Sequence, residues 1–204
     1  DPANPWIRKL EDATRYFSEQ AEGLCATSII ETCDSLNFAE NVVGSGVFLE
    51  VHDHPRELLD LFDVALELNV FLVEMQRRHI RRIADGYADL HEEWLPGDCV
   101  WLSVDAWGSC GLDTFRRLGR GHLERIISRF GSGWLHMHGA HLHLLEEVAT
   151  VKGLVGIGLL DDPNTERCFG QLDRIRRAVG GIPLQVNCTR DEIVAGLDDG
   201  TLPR

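Results

Sequence analysis

Four of the nine histidines lie within GWLHMHGAHLH, residues 133–143. His136 and His138 are two apart, and so are His141 and His143. Side chains two apart share a face on a strand, whereas on a helix they diverge by about 200°. On a strand, His136 and His138 could therefore hold one ion with a third ligand from elsewhere. Zinc accepts His and Cys together, and a catalytic zinc site keeps one position open. Cys188 is the first candidate for the third ligand and Asp105 the second. The same pair also suits metal-free chemistry, as active-site histidines that hydrogen-bond an organic acid or move protons. A polar rim of inert histidines is the third reading, and all three stay open here. His141 and His143 follow Gly139 and start a helix, so only one of them can face a site. His141 is nearer the strand end, and His143 is read as a surface residue.

The elements that would position these groups are short apolar runs alternating with longer amphipathic ones. Strands are expected at residues 26–30, 100–105, 134–138, 154–160 and 182–188. A helix opens at Pro55, runs to about His79, and carries Leu58, Leu59, Phe62, Leu66 and Val70 at helical spacing. A second runs from Leu112 to about Arg129, a third over 141–151. A fourth is expected from the N-cap Asp162 and Pro163 to the Gly180-Gly181 pair. Thr189 and Glu192 have capping-box spacing, so a fifth begins after Cys188. This alternation implies parallel strands with helical crossovers. The fold class is α/β. A doubly wound sheet and a (β/α)8 TIM barrel both fit, and a full barrel typically needs about 250 residues. Five strands would make the barrel incomplete. Residues 1–204 read as one domain.

In both architectures function gathers beyond the carboxyl ends of the strands. Those ends carry Glu31 and Asp34, Asp105, His136 and His138, Asp161 and Asp162, and Asn187 and Cys188. Trp107, just past Asp105, could line a pocket for a flat ligand. His52-Asp53-His54 repeats the H-x-H spacing but precedes Pro55, and reads as a solvated loop. Gly44-Ser45-Gly46 and Gly156-Ile157-Gly158 lack the strand–glycine–helix context of a dinucleotide site. His91-Glu92-Glu93 lacks the second histidine of a zincin, and no G-x-S-x-G elbow occurs.

The formal charge is −13, with 44% hydrophobic and 26% charged residues. A polyanion without a basic block is a poor partner for nucleic acid or an anionic membrane. No apolar run reaches the roughly 18 residues of a membrane span, and no signal peptide is visible. The six scattered cysteines contain no C-x-x-C and read as reduced thiols of a cytoplasmic protein. The chain lacks an initiator Met, which points to a fragment or a processed product.

Three stretches then resemble one family. CDSLNFAENVVGSGVFLEVHDHPRELLDLFDVA is similar to the loop, Gly-rich turn and helix start of the uroporphyrinogen decarboxylase superfamily. WLPGDCVWLSVDAWGSCGLDTFRRLGRGHLERII looks like its next strand, aspartate and helix. GWLHMHGAHLHLLEEVATVKGLVGIGLLDDPN resembles its strand ending in a histidine and glycine. The resemblance implies a (β/α)8 barrel, of which this chain is the middle and late part, without the N-terminal strands and the last strand. It implies either a metal-free decarboxylase or a cobalamin-dependent methyltransferase that uses zinc to activate a thiol. The methyltransferase branch carries an H-x-C pair here. His136 matches its histidine, and His138 stands in place of its cysteine.

Three functions follow as expectations. The first, slightly favoured, is zinc-dependent methyl transfer from a corrinoid, on a partner protein or substrate, or from a methylated small molecule to a thiol. His136, His138 and Cys188 would hold the metal, Asp105 would orient a histidine, and Glu31, Trp107, His141 and Asp161 would line the substrate. The second is cofactor-free decarboxylation of uroporphyrinogen or another acid, with Asp105, His136 and His138 catalytic and Arg116, Arg117 and Arg120 as a basic patch. The third is a non-catalytic truncated barrel whose open sheet edges favour a homodimer.

Overall fold

The computed structural model describes residues 3–30, 32–91 and 93–202. Among the described residues six strands are seen: β1 (Gly86–Ala88), β2 (Trp94–Pro96), β3 (Val100–Ser103), β4 (Gly133–His138), β5 (Leu154–Leu160) and β6 (Leu184–Val186). The last four form a parallel sheet in the order β3-β4-β5-β6, and the first two pair as an antiparallel hairpin. Helical crossovers join the parallel strands. The result is a partial TIM-barrel-like α/β fold, as expected.

The expected strand at 26–30 is the main departure. It makes only isolated parallel bridges, Ser28 to Ala88 and, just beyond, Cys33 to Ser103. Side chains take the place of a ladder. The Ile30 N–H donates to Gln76 Oε1 at 2.9 Å, and the Thr32 hydroxyl donates to the Trp101 carbonyl. These bonds satisfy groups that would otherwise need a neighbouring strand.

Nine helices are seen among the described residues, namely α1 (Pro5–Gln20), α2 (Ser35–Val43), α3 (Val47–Asp53), α4 (Pro55–Arg77), α5 (Leu112–Thr114), α6 (Arg120–Phe130), α7 (Leu145–Val148), α8 (Leu172–Val179) and α9 (Arg190–Asp199). α4 follows the expected pattern and buries Leu58, Phe62, Leu66 and Val70. A π-helical turn, Phe115–Gly119, links α5 and α6. Gly119 lies against the Trp107 indole, where a Cβ would come within 2.7 Å. The helix expected at 141–151 is split, with a 3-10 turn at Gly139–Leu144 before α7. His52 and Asp53, expected in a loop, end α3, and both are exposed with His54.

The expected helix start at Asp162 is also corrected. The chain stays irregular until Phe169, because the Asp162 carboxylate bonds elsewhere, as described below. The capping box at Thr189 is present: its hydroxyl accepts from Glu192 N at 3.2 Å, and Glu192 Oε2 accepts from Thr189 N at 2.6 Å. Thr189→Ala should lower stability by about 1 kcal/mol, read as a shifted urea midpoint with an unchanged slope.

Alternation sorts the strands into two faces. Leu102, Leu135 and Ile157 are in register, fully buried, and pack against Phe62, Leu123, Ile126 and Ile127 of the helices. The opposite, concave face carries Trp101 opposite Trp134 and Ser103 opposite His136. There Gly156 makes room for the Trp134 ring, which a Cβ would meet at 1.9 Å. Among the described residues no disulfide joins the cysteines. Among the described residues no helix is long and apolar enough to cross a membrane.

Candidate active site at the carboxyl ends of the strands

His136 and His138 share the concave face of β4, while Met137 lies between them in the helix-side core. Their rings are 5.1 Å apart and edge to face. Asp105 opens a 3-10 turn directly after β3 and reaches both. Its Oδ1 is 3.5 Å from His138 Nε2 and 3.9 Å from His136 Nε2. Among the described residues, Asp105, His136 and His138 form the group whose ligand atoms lie within 4.8 Å of one another.

Each member is held from behind. The Ser103 hydroxyl donates to Asp105 Oδ2 at 2.5 Å. Asn37, on α2, donates from Nδ2 to the Ser103 hydroxyl at 3.0 Å and accepts the Ala106 N–H on Oδ1 at 2.6 Å. Asp34 caps α2 by accepting the Asn37 N–H at 2.8 Å. These bonds use Asp105 Oδ2 and leave Oδ1 buried without a partner, facing the imidazoles. Burial pushes the fully enclosed Asp34 carboxyl up to about 8, against the amide bonds from Asn37 and Leu36 and with a further push from Asp105.

His138 Nδ1 lies 2.6 Å from Asp162 Oδ1, and Asp162 Oδ2 accepts the Ala140 N–H at 2.8 Å. Burial acts to raise Asp162, but these two bonds prevail and hold it below the ordinary carboxylate value. An ionised carboxylate only accepts, so Nδ1 carries the proton, and Nε2 is the nitrogen turned toward Asp105. His136 is 7% exposed, and burial pushes it down to about 4 despite Asp105. It is therefore a neutral imidazole near pH 7.

The β1–β2 hairpin loop folds over the concave face. Asp89 Oδ1 accepts the His91 and Glu93 amides at 2.8 and 3.0 Å, which fixes the loop. His91 then joins a cluster of three stacked rings, 4.7 Å from Trp101 and 5.4 Å from His136, which are 5.5 Å from each other. Burial, with Asp89 beside it, pushes Glu93 up to about 7.

The expected residues divide clearly. Asp105, His136 and His138 are together. His141 is adjacent, 5.7 Å from the His138 ring, and lies over Gly108, where a Cβ would strike it at 2.2 Å. Cys188 is exposed beyond β6 and outside the ligand group, so Asp105 takes the place expected for it. Trp107 is not a pocket wall. It is fully buried, edge to face with Phe62 and Phe115, because the turn after Asp105 points it into the helix-side core. Asp161 is committed to Arg167 at 3.0 Å and to the Cys168 N–H at 2.7 Å. Glu31 lies outside the described residues. Arg116 and Arg120 are bound to Glu147 at 2.7 and 2.8 Å in the outer helical layer, so they are not a substrate patch. His143 is exposed, as expected.

Asn37, Ser103 and His91 were not anticipated, and Asp162, expected among the strand-end carboxylates and as a helix N-cap, was not expected to bond His138. Asp162 had a readable signal: His136 pairs with Gly158 and His138 with Leu160, so the next residue of that alternation is Asp162.

No family model matches the chain, and no curated protein matches it. Among solved structures it is similar to a methyltransferase from Methanosarcina mazei, at 15% identity and a TM-score of 0.55. The match covers 96% of this chain and 65% of that one, so this chain spans about two thirds of that protein's length. The likeness is one of fold, a methyltransferase-like α/β arrangement.

Proposed function

We propose that this chain is the barrel of a zinc-dependent methyltransferase of the uroporphyrinogen decarboxylase superfamily, acting on a thiol. The donor would be a corrinoid, on a partner protein or a substrate, or a methylated small molecule. One observation carries the reading: two imidazoles and a carboxylate converge within 4.8 Å, and the converging Asp105 oxygen is buried and unpaired. Such an orphan is costly unless something completes it. Two imidazole nitrogens and one carboxylate are a donor set zinc accepts, with a position left for substrate. The methyltransferase fold of the structural neighbour agrees with it.

His136, His138 and Asp105 would hold the metal. When bound, zinc supplies the positive charge that brings a thiol pKa toward neutrality. The chain does the rest. Asp162 fixes the His138 tautomer. Ser103 and Asn37 aim Asp105. The His91 loop shields the ring of His136 from water. His141, beside His138, is placed to take the thiol proton. The sulfur then forms its bond to the methyl carbon as the carbon–donor bond breaks, and the electron pair leaves with the donor. Decarboxylation of a polyanionic acid fits less well, because the concave face presents carboxylates and Arg116 and Arg120 of the outer layer are already paired.

Elemental analysis of the purified protein tests this. About one zinc per chain is expected, and none in His136→Ala or His138→Ala. A protein that takes up no zinc after reconstitution would overturn the reading.

A further inference from the structure

The His91 loop encloses a second cavity on the far side of the His136 ring. Its volume is about 140 Å³, and His91, Glu93, His136, Gln185 and Asn187 line it over Gly158. Pockets for drug-sized ligands run to about 300–1,000 Å³, so this one takes a group of few heavy atoms. Gly158 leaves the space. A Cβ there would lie 2.9 Å from Gln185 Oε1, 3.3 Å from Trp134 Nε1 and 4.0 Å from Glu93 Oε1. Polar atoms thus converge on one point from two strands and a loop. Glu93 Oε2 and His91 Nε2 are buried there without hydrogen-bond partners, and both can accept. Unmade bonds of this kind favour a ligand that completes them.

The charge selects which ligand. Among the described residues no Lys or Arg lines the cavity. Arg167, near Asn187, is occupied by Asp161, Glu192 and the Asn187 carbonyl. Glu93 lines the cavity, and the buried carboxyl of Asp89 stands beside it. Asp105 and Asp162 lie on the histidine side. The chain as a whole carries −13. A cation is drawn into such a site, and a carboxylate or sulfonate is repelled.

We propose that this cavity binds the ammonium group of a small primary amine, with Glu93 and the Gln185 carbonyl oxygen accepting its hydrogens. The methyl acceptor is then an aminothiol rather than a thiol acid, a step that rests on the methyl-transfer reading above. His136 belongs to both the cavity wall and the donor cluster, so an amine seated here holds its thiol beside the place of activation.

The test is calorimetric titration of zinc-loaded protein with cysteamine, 2-mercaptoethanol and 3-mercaptopropionate. Cysteamine should bind tighter than the acid by about tenfold or more, with 2-mercaptoethanol between them. Glu93→Gln should remove that advantage while zinc content stays unchanged. Gly158→Ala, whose methyl group enters the cavity and crowds Gln185 Oε1 and Trp134 Nε1, should do the same. With zinc bound, equal or tighter binding of the acid overturns the proposal, as does an advantage that survives both variants. A protein that binds no zinc would defeat the methyl-transfer reading alone. The cavity is then judged with 2-aminoethanol against propionate. An amine preference lost in Glu93→Gln supports the ammonium site, and no preference overturns it.

Discussion

Asp105→Ala is expected to cost zinc affinity more than about 100-fold, and Asp162→Asn about 10- to 100-fold. The two differ because the carboxylates do different things. Asp105 points an unpaired oxygen at both imidazoles, so its loss removes one of three donors. Asp162 touches only the outer nitrogen of His138. Its replacement keeps all three donors but loosens the tautomer and the ring. Competition with a chromogenic chelator reads both constants. Far-ultraviolet circular dichroism checks that the fold survives, which is expected, since Asp105 is half-exposed and capped by a single hydroxyl. Equal zinc affinity in wild type and Asp105→Ala would place the metal elsewhere, and the cluster would then be an acid–base site.

What was legible follows from how far each signal reaches along the chain. His136 and His138 could be placed on one face because strand alternation is local and has period two. Asp105 was visible as a carboxylate one residue after a buried run. Cys188 misled because β6 is only Leu184–Val186, so the chain has left the sheet by residue 188 and turns into the Thr189 cap. Trp107 misled because an aromatic beside a site residue reads alike whether it faces ligand or core. What decides is Gly119, which gives the indole its place. The His91 loop was invisible. Its strands have three residues each and one includes Pro96, too short for any periodicity. Asn37 was equally out of reach, because its bonds to Ser103 and Ala106 join residues 66 and 69 apart.

Asp34→Asn is expected to stabilise the protein at pH 8 by at least about 2 kcal/mol and to leave it little changed near pH 4. The folded carboxyl titrates at about 8, against an ordinary value of 3.8. The folded state therefore holds a proton that the unfolded chain gives up as pH rises through about 4. Between these values the native protein binds more protons than the unfolded one, so stability falls with rising pH, by up to about 1.4 kcal/mol per unit. It levels once pH passes the folded value. Asparagine stays neutral throughout and keeps the oxygen that caps α2 by accepting the Asn37 N–H. Urea unfolding of both proteins at pH 5, 6.5 and 8 isolates this one group, because the other carboxylates cancel in the difference. Parallel stability curves would mean that Asp34 is ionised in the native state.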